Sequence, residues 1–321
     1  MLRWRGLENV PPGWGRCVVT IGVFDGVHRG HAQLIAAATR AAAERGVPSV
    51  LMTFDPHPSE VVRPGTHPPQ LATLHRRADL AQEMGIDVFC VVPFTAALAA
   101  KSPEEFAHEV LVEQLHAAEV VVGDNFTFGH KAAGDVAKLR ELGERFGFEV
   151  TAVSLFGEHA VTFSSTYIRS CVAAGDVELA TEALGRPHRV EGVVVHGEKR
   201  GRDLGFPTAN VAASTYAAIP GDGVYAAWFT VQRSGRVPRG MTIGERYPAA
   251  VSVGTNPTFS GQNRTVEAYV LDVDADLYGQ HVAVDFVSRI RGMETYDGVD
   301  SLVEAIGNDV AVTRSILGDV Q

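Results

Sequence analysis

Two histidines and three glycines fall within ten residues, Gly22 to His31, which read GVFDGVHRGH after a short apolar run. His28 and His31 are three apart, so a helix starting there sets both rings on one side. Imidazoles in that position can donate hydrogen bonds to charge developing on phosphoryl oxygens. The helix start adds free N–H groups and the positive end of a dipole, both suited to a phosphate. Gly22 and Gly26 permit tight backbone there, and Gly30 lets a ligand approach closely. A plainer reading also fits: the histidines cap a helix and the glycines turn the chain. Neither G-x-G-x-x-G nor G-x-x-x-x-G-K-[ST] occurs, so no common nucleotide fingerprint competes for the role.

Four further stretches carry groups that can do chemistry. In SSTYIRS (164–170), Ser164, Ser165 and Thr166 can cap a helix running to about Ala174. Arg169, one turn further in, either forks onto phosphate oxygens or sits solvated. Asn125 ends the apolar run EVVV, as a turn residue or at a ligand crevice. In GFPTAN, Pro207 biases the chain toward extended structure, so Thr208 and Asn210 face the same way. Such a pair of hard oxygens suits Mg2+, which completes its octahedron with phosphates and water. Gly197, Gly201 and Gly205, spaced by four, make a loop able to fold over those phosphates; an ordinary turn and strand is the alternative. In RTVEAYVLDV, Val266, Ala268 and Val270 form one apolar strand face, leaving Glu267 on the other beside Thr265 and Tyr269.

These residues need elements to position them, and the texture of those elements changes along the chain. CVVTIGVF, SVLMTF, VFCVVPF and EVVVG read as buried strands separated by helical segments, the pattern of a parallel sheet covered on both faces. The segment HAQLIAAATRAAAERG places Leu34, Ile35, Ala38 and Ala42 on one helical face, with Gly46 as the stop. In an open parallel sheet, ligands bind at the carboxyl ends of the strands, where GVFDGVHRGH lies. From about LGRP (184–187) the chain becomes short β runs between Gly, Pro, Asn and Asp turns, the texture of a small barrel or sandwich. Two domains are expected, 1–186 and 187–321.

The quoted stretches together resemble the prokaryotic bifunctional riboflavin kinase/FAD synthetases. GVFDGVHRGH is similar to the HxGH signature of the nucleotidylyltransferase superfamily in the FDGxHxGH form of that family. VVGDNFTFGHKAAGDV (121–136), SSTYIRS, GEKRGRDLGFPTANV (197–211), VSVGTNPTF and TVEAYVLD match its other motifs in order. The resemblance implies a Rossmann-like α/β nucleotidylyltransferase domain followed by a riboflavin kinase β-barrel. It implies riboflavin, FMN and ATP as substrates and Mg2+ as cofactor. Gly22, Phe24, Asp25, Gly26, His28, Gly30, His31, Asn125, Ser164, Ser165, Thr166 and Arg169 would then bind nucleotide in the first domain, with His28 and His31 catalytic. Gly197, Gly201, Gly205, Thr208 and Asn210 would bind it in the second, Thr208 and Asn210 holding the metal. Glu267 would be the base for the ribityl 5′-hydroxyl. The chain departs from the family's last motif at IRGMETYDGVDSL, where Met293 and Tyr296 stand.

Composition narrows the alternatives. The chain has 321 residues, 45% hydrophobic and 21% charged, with net charge −10 spread along its length. No segment provides the basic field that nucleic-acid binding needs. No stretch reaches the ~18–20 apolar residues that span a bilayer, and no secretory leader is recognisable, so a cytoplasmic protein without membrane or nucleic-acid partners is expected. Cys17, Cys90 and Cys171 show no C-x-x-C spacing. The oligomeric state stays open between a monomer and a weak homo-oligomer. Two rivals remain, an HxGH adenylyltransferase of other specificity and a non-catalytic flavin-binding protein.

Overall fold

The computed structural model describes residues 1–154, 163–197, 201, 204–233, 237–255 and 264–318. The chain divides into two compact units: Met1–Pro68 with Leu74–Ser164, and Pro69–Thr73 with Ser165–Gln321.

The first unit is a six-stranded sheet in which every pairing is parallel. Its strands are β1 (Leu2–Arg5), β2 (Cys17–Ile21), β3 (Ser49–Asp55), β4 (Val88–Pro93), β5 (Ala117–Gly123) and β6 (Glu149–Val153), in the order β1-β4-β3-β2-β5-β6. The helices are α1 (Arg29–Arg45), α2 (Pro58–Val62), α3 (Leu74–Glu83), α4 (Ala96–Ala100), α5 (Pro103–Glu105) and α6 (Val136–Phe146). A π-helix continues α5 over Phe106–Gln114, where the sequence reads as ordinary helix. Strand residues alternate between two cores. Cys17, Val19 and Ile21 share one with Phe106, Leu111 and Leu139, and Leu51 and Phe89 share another with Leu34, Ile35 and Ala78. The expected apolar face of α1 is the buried one, and Gly46 ends the helix at φ 64°. The chain runs outward from β2 to β3 and β4, then returns to add β5 on the other side of β2. The carboxyl ends of β2 and β5 therefore flank the point where strand order reverses.

The second unit is a closed barrel, not a sandwich. Its strands are β7 (His188–Val195), β8 (Ala209–Ala213), β9 (Gly223–Arg233), β10 (Arg246–Thr255), β11 (Arg264–Val270) and β12 (His281–Arg291), in the order β10-β11-β8-β7-β12-β9. Alternate residues fill it, among them Val266, Ala268 and Val270 of β11. Arg189 and Asp285, opposite each other on β7 and β12, share two 2.7 Å hydrogen bonds. Helices α7 (Ser165–Ala174) and α8 (Val177–Leu184) belong to this unit, as does the terminal helix α9 (Val299–Gly318). Glu178 of α8 accepts from Ser288 Oγ and Arg289 N of β12. Residues 165–184, grouped by sequence with the α/β domain, thus fall in the barrel unit, where Val177 of α8 joins the barrel core.

Candidate active sites

In the first unit, β2 delivers the chain to the switch point and the loop 22–28 reshapes it into α1. Phe24, Gly26 and Val27 have φ of 51°, 81° and 41°. Val27 is β-branched, for which a left-handed conformation is a true outlier. Strain of that kind persists only where surroundings over-determine it. Here Phe24 and Val27 are each 1% exposed, and the Val23 carbonyl accepts from Thr53 Oγ1 at 2.9 Å and from an Arg77 guanidinium N–H at 2.8 Å.

The loop ends on His28, which is the N-cap of α1. Its Nδ1 accepts from His31 N at 3.3 Å. A neutral imidazole that accepts at Nδ1 carries its proton on Nε2. The His28 and His31 rings stack at 3.7 Å, 20° from parallel, and His31 leans on Phe24 at 5.1 Å. His28 is 4% exposed, whereas His31 is half-buried. The two rings therefore differ: His28 caps the helix and supports His31 from beneath. Gly30 also has a reason within the protein itself. A Cβ there would lie 3.2 Å from His28 Cε1 and Nδ1, so the missing side chain makes room for the imidazole. Gly22 likewise clears the Phe24 ring, which a Cβ would meet at 3.2 Å. Asp25 is buried at 3% exposure. Asn125 stands exposed in the turn after β5, beside β2 at the carboxyl edge of the sheet.

The SSTYIRS stretch spans the division between the units. Ser164 closes the first, and Ser165, Thr166 and Arg169 lie on α7 in the second. Arg169 Nε donates to the Pro69 carbonyl at 2.7 Å.

The second unit holds a cavity of about 840 Å³, lined by Arg169, Gly197, Gly201, Thr208, Asn210 and Glu267 among others. Strand pairing builds it. Glu267 of β11 faces Asn210 of β8 across an antiparallel pair, so both side chains leave the same face. Thr208, two residues before Asn210, donates through Oγ1 to Glu267 Oε2 at 3.4 Å. A Cβ at Gly197 would sit 2.3 Å from Asn210 Nδ2 and 2.8 Å from its Oδ1. The bare glycine therefore leaves room beside the carboxamide. Gly201 accepts from Phe206 N at 2.8 Å, closing a turn in which Gly205 takes φ 85°. Phe206 meets Tyr269 of β11 edge-on at 5.4 Å, which fixes the GFPTAN segment against the barrel. Residues 198–200 and 202–203 of the glycine loop, and 256–259 of VSVGTNPTF, lie outside the described residues. Met293 approaches Gly254, and the Arg291 guanidinium lies over the Tyr296 ring, whose hydroxyl donates to Glu294.

Two participants escaped the sequence. Arg77 was hidden as one more charge in a helix. Pro69–Thr73 belongs to the second unit although it precedes α3 in the chain. Gln70 bridges Ala217, and its carbonyl accepts from Ala218 N at 2.8 Å. Thr73 Oγ1 donates to Glu191 at 2.6 Å, and Pro69 lines the cavity. The one available signal was Pro68-Pro69, which stiffens a segment into extended form.

Comparison with known proteins finds two families matched in succession. Residues 11–167 match the FAD synthetase family, and residues 184–317 match the riboflavin kinase family. A bifunctional riboflavin kinase/FMN adenylyltransferase from Pseudomonas fluorescens is 37% identical over 97% of this chain and 96% of its own. Its Escherichia coli K12 counterpart is 35% identical over 98% and 97%. A crystal structure described as a macrolide-efflux protein from Streptococcus pneumoniae has a TM-score of 0.86 at 31% identity, covering 98% of this chain and 99% of that one. Among the described residues, no helix is long and apolar enough to cross a membrane.

Proposed function

The chain belongs to the family of bifunctional riboflavin kinase/FMN adenylyltransferases, phosphorylating riboflavin to FMN with ATP and converting FMN to FAD with a second ATP, and we propose which residues carry each step. The adenylyl-transfer residues fall before the boundary expected at 186 and the kinase residues after it, with Pro69, Arg169, Val172 and Ala173 adding a wall to the kinase cavity.

For the kinase step, Glu267 accepts the proton of the ribityl 5′-hydroxyl as that oxygen bonds to the γ-phosphorus. The bond from the γ-phosphorus to the bridging oxygen breaks and ADP leaves. A carboxylate within hydrogen-bond reach of the nucleophile is what such catalysis requires. The observation that supports this reading is the register of Glu267 opposite Asn210, with Thr208 bonded to the same carboxylate inside the cavity. Thr208 keeps one carboxylate oxygen oriented within the cavity. Thr208 Oγ1 and Asn210 Oδ1 are hard, uncharged oxygens in one cradle, a donor set that fits Mg2+, and Gly197 leaves space above the amide. When bound, Mg2+ neutralises charge on the ATP phosphates.

For the adenylyl step, an oxygen of the FMN phosphate bonds to the α-phosphorus of ATP and pyrophosphate leaves. That nucleophile is already anionic, so the site has no need of a general base. Its task is to hold two polyanions and stabilise charge on the α-phosphate. His31, with His28 beneath it at the start of α1, supplies donors for this, together with the helix N-terminus. Asn125 and the Ser164 hydroxyl add nucleotide contacts from the same unit, whereas Ser165, Thr166 and Arg169 belong to the second unit, where Arg169 lines the kinase cavity. Three free, buried cysteines support a cytoplasmic setting.

Glu267→Gln tests the kinase assignment. Riboflavin phosphorylation should fall by roughly 10²–10⁴-fold if the carboxylate is the base. Unchanged turnover in the folded variant would remove Glu267 from that role.

A further inference from the structure

Arg77 is 3% exposed, and among the described residues it is the one Lys or Arg buried this deeply. Placing a guanidinium out of water is costly unless something uses it. Desolvation pulls its pKa down, and the nearby Asp25 and Asp55 carboxylates oppose that. Its Nε is enclosed and has no hydrogen-bond partner among the described residues. What the side chain does make is the 2.8 Å hydrogen bond to the Val23 carbonyl, beside that of Thr53. Val23 is the last residue before the strained run from Phe24 to Val27, which ends on the cap His28. The carbonyl is thus clamped from β3 and from α3 at the point where the chain leaves regular geometry.

We propose that Arg77 is the positioning residue of the adenylyl-transfer site, clamping Val23 so that the loop presents His28 and His31 to the phosphates. This rests on the assignment of those histidines to FMN adenylylation. Arg77 lies beneath the loop and acts through it. The proposal explains why a cation is buried under an anion-binding loop and not spent on an ion pair at the surface. Thr53 alone leaves one lateral restraint on Val23. The second, from another element, fixes the direction of the carbonyl and hence the rotation of the next peptide.

The experiment uses the full-length chain with Arg77→Met, Arg77→Lys, His31→Ala and the double variant Arg77→Met/His31→Ala. FMN-to-FAD turnover is measured over a range of ATP. Riboflavin phosphorylation by the same preparations, carried by the other unit, reports that the protein is intact. Arg77→Met should lower kcat for FAD synthesis by on the order of 10²-fold, the scale of loss from a small misplacement. KM for ATP should move by no more than about threefold, since the loss falls on the transition state. Arg77→Lys should recover part of the rate, and the double variant should be no slower than the slower single variant, because both act through one group. Should Arg77→Met fail to fold, Thr53→Val, which removes the other donor to Val23, must lower kcat in the same pattern. Multiplying losses in the double variant, or normal kcat in folded Arg77 variants while His31→Ala is impaired, would overturn this proposal alone. A silent His31→Ala would overturn the site assignment and the proposal together.

Discussion

A methyl group on Gly197 would press to 2.3 Å from the Asn210 amide nitrogen, and Asn is too short to swing clear without losing its place. Gly197→Ala should therefore raise KM for MgATP in riboflavin phosphorylation and leave FMN adenylylation unchanged, as read from initial rates of the two half-reactions. Cys17 and Cys90 offer a second check. Burial pushes both thiols up to about 12, so a thiol reagent at pH 8 should label neither until the chain unfolds. Between the ordinary thiol range and about 12, the unfolded chain releases protons that the folded one keeps. Stability should then fall as pH rises through that window. The face on which Glu267 lies was legible in sequence because β11 alternates cleanly between core and cavity. The inequality of His28 and His31 was not, since it arises from a cap geometry and a stacking that spacing alone leaves open.

At the level of the element, α1 combines two roles at its N-cap. His28 satisfies a backbone donor and supports the ring of His31. Asn is a strong N-cap, so His28→Asn should retain stability, whereas His28→Ala should cost about 1 kcal/mol. Both should slow FAD synthesis if the imidazole supports His31; thermal unfolding and turnover of the two variants measure this. Full activity in His28→Asn would reduce the residue to a cap. The apolar face and glycine stop of α1 were legible because both are local. The Pro69–Thr73 segment was not, because its partners, Ala217, Ala218 and Glu191, are more than a hundred residues away and the pairing depends on the finished barrel. The π-helix over 106–114 has no sequence signal that we identify.

Across the whole molecule, the change from α/β to β-rich texture was readable, and the barrel it announces is present. The place to cut the chain was less so, because helices α7 and α8 carry no mark of which core they serve. A fragment beginning at Pro187 lacks Pro69, Arg169, Val172 and Ala173, all of which line the kinase cavity. Its KM for riboflavin or MgATP should exceed that of the full chain, with a fragment from Ser165 falling between them. Equal constants for all three would show that this wall contributes nothing.

The central claim is that two chemistries reside in two separate sets of residues, and a flavin chromatogram tests it most directly. Purified wild type, His31→Ala and Glu267→Gln are each incubated with MgATP and either riboflavin or FMN, after circular dichroism has confirmed folding. With riboflavin, His31→Ala should accumulate FMN, and Glu267→Gln should leave riboflavin largely unconverted. With FMN, Glu267→Gln should form FAD at close to the wild-type rate, and His31→Ala should form it slowly. Parallel loss of both steps in either folded variant, or undiminished FAD synthesis by His31→Ala, would contradict the account.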